Sequence, residues 1–191
     1  MGLDKDTNYI VSGLERSGTS MMMQILKAGG LPVAYDDKRK PDDNNPKGYF
    51  ELDGGKIINK LMNGSFPFNK YKGIFIKITA YGLKFLPEGK YKIIYMERNI
   101  EEVLDSMEKM ARIKDSEREE TRISFEKLNE KIKYELKSKD DTKFIIINYF
   151  EMIKNSEITI KKIIDFLEYS EINVLDMIKT VDYNLYRQRK N

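Results

Sequence analysis

Apolar positions along the chain alternate between short dense runs and helical stripes. Tyr9–Ser12 is a run with strand character. Ser20–Ala28 spaces Met21, Met22, Ile25 and Leu26 as a helix does, and Gly29-Gly30 stops it. Leu31–Ala34 reads as a second short strand, and Asp36–Lys47 is polar, holds two prolines and reads as a long loop. Asp53–Met62 has weak helical periodicity. Gly73–Ile78 and Lys92–Met96 are β-rich runs separated by the turn signal Pro87-Glu88-Gly89. Ile100–Ile113 puts Val103, Leu104, Met107 and Met110 on one helical face. Glu117–Lys137 is a long charged helix striped by Ile123, Leu128, Ile132 and Leu136. Phe144–Ile147 is a fully apolar strand, and helices follow at Ile158–Tyr169 and Ile172–Thr180. Strands separated by helices predict an α/β domain of three layers: a mostly parallel sheet of about five strands with helices on both faces. No repeat or long linker divides residues 1–191, so one domain is expected.

Composition narrows the chemistry. Lys+Arg total 34 against Asp+Glu 31, a net charge of +3, so no nucleic-acid footprint is implied. The chain has no cysteine, which removes disulfides, thiol nucleophiles and thiolate metal sites. It also has no histidine, so imidazole bases and ligands are excluded, and a general base must come from Asp, Glu, Tyr, Lys or water. Met1–Asn8 lacks the apolar core of a signal peptide, and no apolar run approaches a membrane span; a cytoplasmic protein is expected.

The densest chemical signal is Tyr9-Ile10-Val11-Ser12-Gly13-Leu14-Glu15-Arg16-Ser17-Gly18-Thr19-Ser20-Met21. A strand enters a glycine-bracketed turn and a helix leaves it. Such a turn aims backbone N–H groups at one point, and the helix N-terminus adds positive potential. Ser17, Thr19 and Ser20 add hydroxyls and Arg16 adds a fixed charge, which makes a site for an anion of phosphate size. The lysine that nucleoside triphosphatases place after the second glycine is missing, and Thr19 stands there instead.

Ser12-Gly13-Leu14-Glu15-Arg16-Ser17-Gly18-Thr19-Ser20 resembles the 5′-phosphosulfate loop of sulfotransferases that use 3′-phosphoadenosine 5′-phosphosulfate (PAPS). Bacterial members have proline where this chain has Glu15. Arg98-Asn99-Ile100-Glu101-Glu102-Val103-Leu104-Asp105-Ser106 resembles the family's 3′-phosphate motif, in which the arginine and the serine grip that phosphate. The expected helix start near Ile100, with Asn99 as N-cap, requires the chain to fold back to bring Arg98 and Ser106 together. Gly73–Thr79 resembles the strand that carries the family's lysine, here Lys77; Thr79 falls where many members have the histidine base. Asn45-Pro46-Lys47-Gly48-Tyr49-Phe50-Glu51 resembles a bacterial block and makes Glu51 the first candidate base, with Glu15 the second. Phe144–Met152 resembles the family strand ending in Tyr-Glu-x-Leu, which points to Tyr149 at the nucleotide. Ile163–Leu167 resembles a helix that closes on Phe-Leu-Gly, with Glu168 replacing the glycine. Arg187 and Arg189 are further candidates for the 3′-phosphate, and Tyr186 for adenine stacking.

The resemblance implies the P-loop sulfotransferase fold and transfer of a sulfuryl group from PAPS to a hydroxyl or amine, with PAP as product and no metal. The acceptor is expected to be a small molecule or glycan, its pocket shaped by Asp36–Lys47 and by Asn63–Tyr71. A P-loop small-molecule or nucleotide kinase, and a nucleotide-binding module without catalysis, remain open. Oligomeric state is not readable from the chain.

Overall fold

The structure, a computed structural model, describes residues 2–182. Among these the sheet has four strands: β1 (Asn8–Gly13), β2 (Phe75–Lys77), β3 (Tyr91–Glu97) and β4 (Thr142–Asn148). They run parallel in the order β2-β1-β3-β4. The helices are α1 (Thr19–Ala28), α2 (Ile58–Met62), α3 (Ile100–Ala111), α4 (Arg118–Lys137), α5 (Tyr149–Lys154), α6 (Ser156–Leu167) and α7 (Val174–Thr180).

One expected strand is reduced. Leu31–Ala34 forms only an isolated parallel bridge, Val33 to Phe75, at the outer edge of β2. Phe75 N–H donates to Pro32 O and Ala34 N–H to Phe75 O, both at 2.8 Å. Pro32 has no N–H to extend the ladder backward, and the polar loop begins just after Ala34. The expected helix at Asp53–Met62 splits into a 3-10 turn, Asp53–Gly55, and the short α2.

Strand alternation builds the two cores. On β1, Tyr9 and Val11 face the layer of α1, α5, α6 and α7, where Met22, Met23, Ile25, Leu26, Met152, Ile160, Ile163 and Met177 are buried. Ile10 faces the other way, with Ile93 and Tyr95 of β3, against Leu61 of α2, Leu83 of the 3-10 helix Ala80–Phe85, and Ile132 and Leu136 of α4. The period-two pattern of the strands and the stripes of the helices therefore place a helical layer on each face of the sheet. No helix among the described residues is long and apolar enough to cross a membrane.

Candidate functional site

In a parallel sheet, chemistry collects where the strands end at their carboxyl side, beside the strand at which the order reverses. Here that strand is β1. Its last residue, Gly13, opens the phosphate-type loop. Lys77 ends β2, Arg98 follows β3, and Tyr149 follows β4. All four ends feed one cleft of about 370 Å³.

The loop owes its path to its glycines. Gly18 has φ +104 and caps α1 without any side-chain cap hydrogen bond. A Cβ there would overlap the Tyr149 ring, and one at Gly13 would overlap Met96 O and Ser17 Oγ. The first N–H groups of a helix have no intrahelical acceptors, so the uncapped start of α1 presents donors toward the cleft. Ser17 is buried under the loop, and among the described residues its Oγ has no hydrogen-bond partner; the same holds for Ser12. Buried hydroxyls without partners beside a free helix N-terminus fit an anion better than an empty turn.

The cations converge. Arg16, at φ +66, donates from Nε to Ser106 Oγ at 3.0 Å and from Nη2 to Asn44 O at 3.3 Å. Arg98 donates from Nη1 to Arg16 O at 3.2 Å, pairs with Glu102 at 2.9 Å, and lies 4.5 Å over the Tyr149 ring. Arg98 and Ser106 both line the cleft, but the hydrogen bond that Ser106 makes is with Arg16. Burial pushes the Arg16 guanidinium below its ordinary pKa, against a raising pull from Tyr49.

Lys77 is buried. Its Nζ donates to Tyr49 O at 2.5 Å and to Ser20 Oγ at 3.3 Å, and pairs with Glu51 Oε1 at 2.8 Å. Burial lowers its ammonium pKa and Glu51 opposes the shift. Glu51 also pairs with Arg39 Nη1 at 3.1 Å. Glu15, by contrast, is exposed on the cleft wall.

The structure therefore brings Glu15, Arg16, Gly18, Thr19, Ser20, Glu51, Lys77, Arg98, Ser106 and Tyr149 to one cleft, with Ser17 beneath it. Arg187, Tyr186 and Arg189 lie outside the described residues. The polar loop 36–47 does supply cleft residues, among them Arg39, Asn44 and Pro46. The expectation for Asn63–Tyr71 is corrected: none of its residues lines the cleft, because Phe66, Phe68 and Tyr71 pack on one another and into the second core. Arg39, Tyr49, Lys56 and Lys109 line the cleft without having been singled out. Tyr49 stood beside Glu51 in a quoted block; the lysines and Arg39 look like solvated charges in one dimension.

Comparison with known proteins agrees with this geometry. A sulfotransferase-domain family model matches residues 6–190. No curated protein sequence matches the chain. Among solved structures, the sulfotransferase domain of the Synechococcus PCC 7002 olefin synthase superposes with a TM-score of 0.56 at 14% identity, over 94% of this chain and 78% of that one. Retinol dehydratase in complex with retinol and PAP gives 0.52 at 19% identity, over 96% and 67%. Mouse sulfotransferase SULT7A1 complexed with PAP gives 0.50 at 20% identity, over 95% and 64%. With a parallel α/β sheet, a glycine-bracketed turn between its first strand and helix, and a family match over nearly its whole length, the chain belongs to the sulfotransferase family.

Proposed function

We propose that the cleft binds PAPS and transfers its sulfuryl group to a hydroxyl or amine of a small-molecule or glycan acceptor. The observation that carries the reading is the convergence of Arg16, Lys77 and Arg98, with Ser106 tied to Arg16 from 90 residues away, around the uncapped start of α1. Two groups of anion donors share one cleft, which suits a nucleotide bearing phosphate at both 5′ and 3′ positions. The loop amides, Arg16, Ser17, Thr19, Ser20 and Lys77 would hold the 5′ end; Arg98 and Ser106 would hold the 3′-phosphate. SULT7A1 and retinol dehydratase are each solved in complex with PAP, which supports the same donor class here.

PAPS supplies the activated sulfuryl group. The chain's part is charge and proton management. Fixed positive charge from Lys77, Arg16 and the helix N-terminus opposes the charge that develops on the departing phosphate as its bond to sulfur breaks. Glu51 accepts the proton of the acceptor as its oxygen or nitrogen bonds to sulfur. Glu51 suits this role better than Glu15, because it lies 2.8 Å from Lys77 while Glu15 stands exposed.

A melting series with PAP, ADP and ATP, the last with and without Mg²⁺, tests the donor. PAP at saturating concentration is expected to raise the midpoint by roughly 5 °C or more, ADP by less. Stabilisation by ATP–Mg²⁺ with none by PAP would overturn the reading in favour of a kinase.

A further inference from the structure

The donor groups assigned to the 5′ end are held by one stretch of chain. Ser20 Oγ donates to Tyr49 O at 3.1 Å, Lys77 Nζ donates to the same carbonyl, and Lys77 pairs with Glu51. Arg16 is similarly tied to Asn44 O. An incoming phosphate competes with these partners, and a charge-assisted bond to a phosphate outweighs one to a carbonyl. Lys77 has little distance to cover, since its Nζ already sits 3.3 Å from Ser20 Oγ in the first turn of α1.

Once Lys77 turns to the donor, Glu51 has lost its shortest cation contact. Arg39 is the second. Its Nη1 lies 3.1 Å from Oε2 and 3.4 Å from Oε1. Its guanidinium is stacked 3.5 Å from the centroid of the Tyr49 ring, and Tyr49 is itself fixed by donating to Asp42 at 2.8 Å. On the other side Gly55, at φ +87, leaves room for the carboxylate: a Cβ there would come within 2.6 Å of Oε2. Around Glu51 are then Arg39 from the polar loop, stacked on Tyr49, and Lys77 from β2 with Arg16 behind it; Lys56 on the following turn lines the same cleft.

We propose that Arg39 is a positioning residue for Glu51: when the donor's anion draws Lys77 to the phosphate loop, Arg39 holds the carboxylate at the cleft. The inference rests on the PAPS reading with Glu51 as base. With the cleft empty, Glu51 is shared between Lys77 and Arg39. With the donor in place Arg39 is the partner left to it, so Arg39 both keeps the carboxylate at the cleft and lets Lys77 leave it for the anion.

Affinity for PAP tests this without any acceptor. Calorimetric titration gives the dissociation constant of each variant. Arg39→Gln keeps a planar group over Tyr49 and removes the charge. It is expected to bind PAP about three- to tenfold more weakly than wild type, because Glu51 without Arg39 holds Lys77 back from the anion. Arg39→Lys, which restores the charge, should return the affinity toward wild type. In a Glu51→Gln background the Arg39→Gln difference should vanish, which a merely structural role for Arg39, or a direct contact with the ligand, would not produce. No loss of affinity in Arg39→Gln, or a loss that persists in the Glu51→Gln background, overturns this inference and leaves the donor reading standing. Failure of wild type to bind PAP overturns both.

Discussion

At the scale of single residues, the phosphate loop is decided by what lies next to its glycines. Gly18 combines φ +104 with a Tyr149 ring packed where a Cβ would stand. Gly18→Ala therefore costs twice: about 1–2 kcal/mol for the left-handed backbone, and a further displacement of Tyr149, on which Arg98 is stacked. Urea unfolding should show a loss of about 2 kcal/mol or more, and PAP affinity should fall at least about tenfold. Unchanged binding in a folded Gly18→Ala protein would count against Tyr149 as the support of the Arg98 site. The spacing of Gly13 and Gly18 was readable along the chain, but the reason for it was not, since Met96 and Tyr149 arrive from β3 and from the start of α5. Arg39 was less readable still. It sits between Lys38 and Lys40 in a polar loop, and nothing in that string separates a cation stacked on Tyr49 from its solvated neighbours.

At the scale of elements, the long periodic segments were legible and the short ones were set by local chemistry. The stripes at Ile100–Ile113 and Glu117–Lys137 predicted α3 and α4 to within two residues at each end. The Phe144–Met152 run hid α5, because an apolar strand passes directly into a helix there. The junction is Asn148, whose side chain accepts from Phe150 N and Glu151 N. Glu168 closes α6 at φ +56, the left-handed C-cap conformation that glycine adopts most readily. Lys92 meets it at 2.7 Å and also donates to the Phe166 and Leu167 carbonyls. Asn99 does for α3 what Asn148 does for α5, accepting from Glu101 N at 2.9 Å and Glu102 N at 3.4 Å. Asn99→Ala should lower unfolding stability by about 1 kcal/mol. It should also loosen the turn holding Arg98 against Glu102, so the preference for PAP over ADP should shrink more than affinity for ADP itself. An equal loss for both nucleotides would show that the cap supports the helix but not the 3′-phosphate grip.

At the scale of the whole molecule, the net charge of +3 conceals a strongly uneven distribution. The strand order sets it. With β1 flanked by β2 and β3, the carboxyl ends deliver Arg16, Lys77 and Arg98 to one edge of the sheet. Arg39, Lys56 and Lys109 join them from loops and α3, and among the described residues only Glu15, Glu51 and Asp182 oppose them along the cleft. Elsewhere charges are paired locally, as where Arg118 of α4 meets Glu101, Asp105 and Glu108 of α3. These two populations respond differently to salt. Cleft cations act on a multiply charged ligand at long range, so screening weakens binding. Surface pairs add little to stability at any ionic strength, and the two apolar cores that carry the fold are not weakened by sodium chloride. Raising sodium chloride from about 0.05 M to about 0.5 M shortens the screening length roughly threefold. Over that range the PAP dissociation constant should rise by about tenfold or more, while the unfolding midpoint without ligand shifts by no more than about 2 °C. Calorimetric titration and a melting series on the same protein give both numbers. A salt-insensitive PAP affinity would mean that the ligand is held by shape and neutral donors, and that the collection of cations at the sheet edge is not what recruits it.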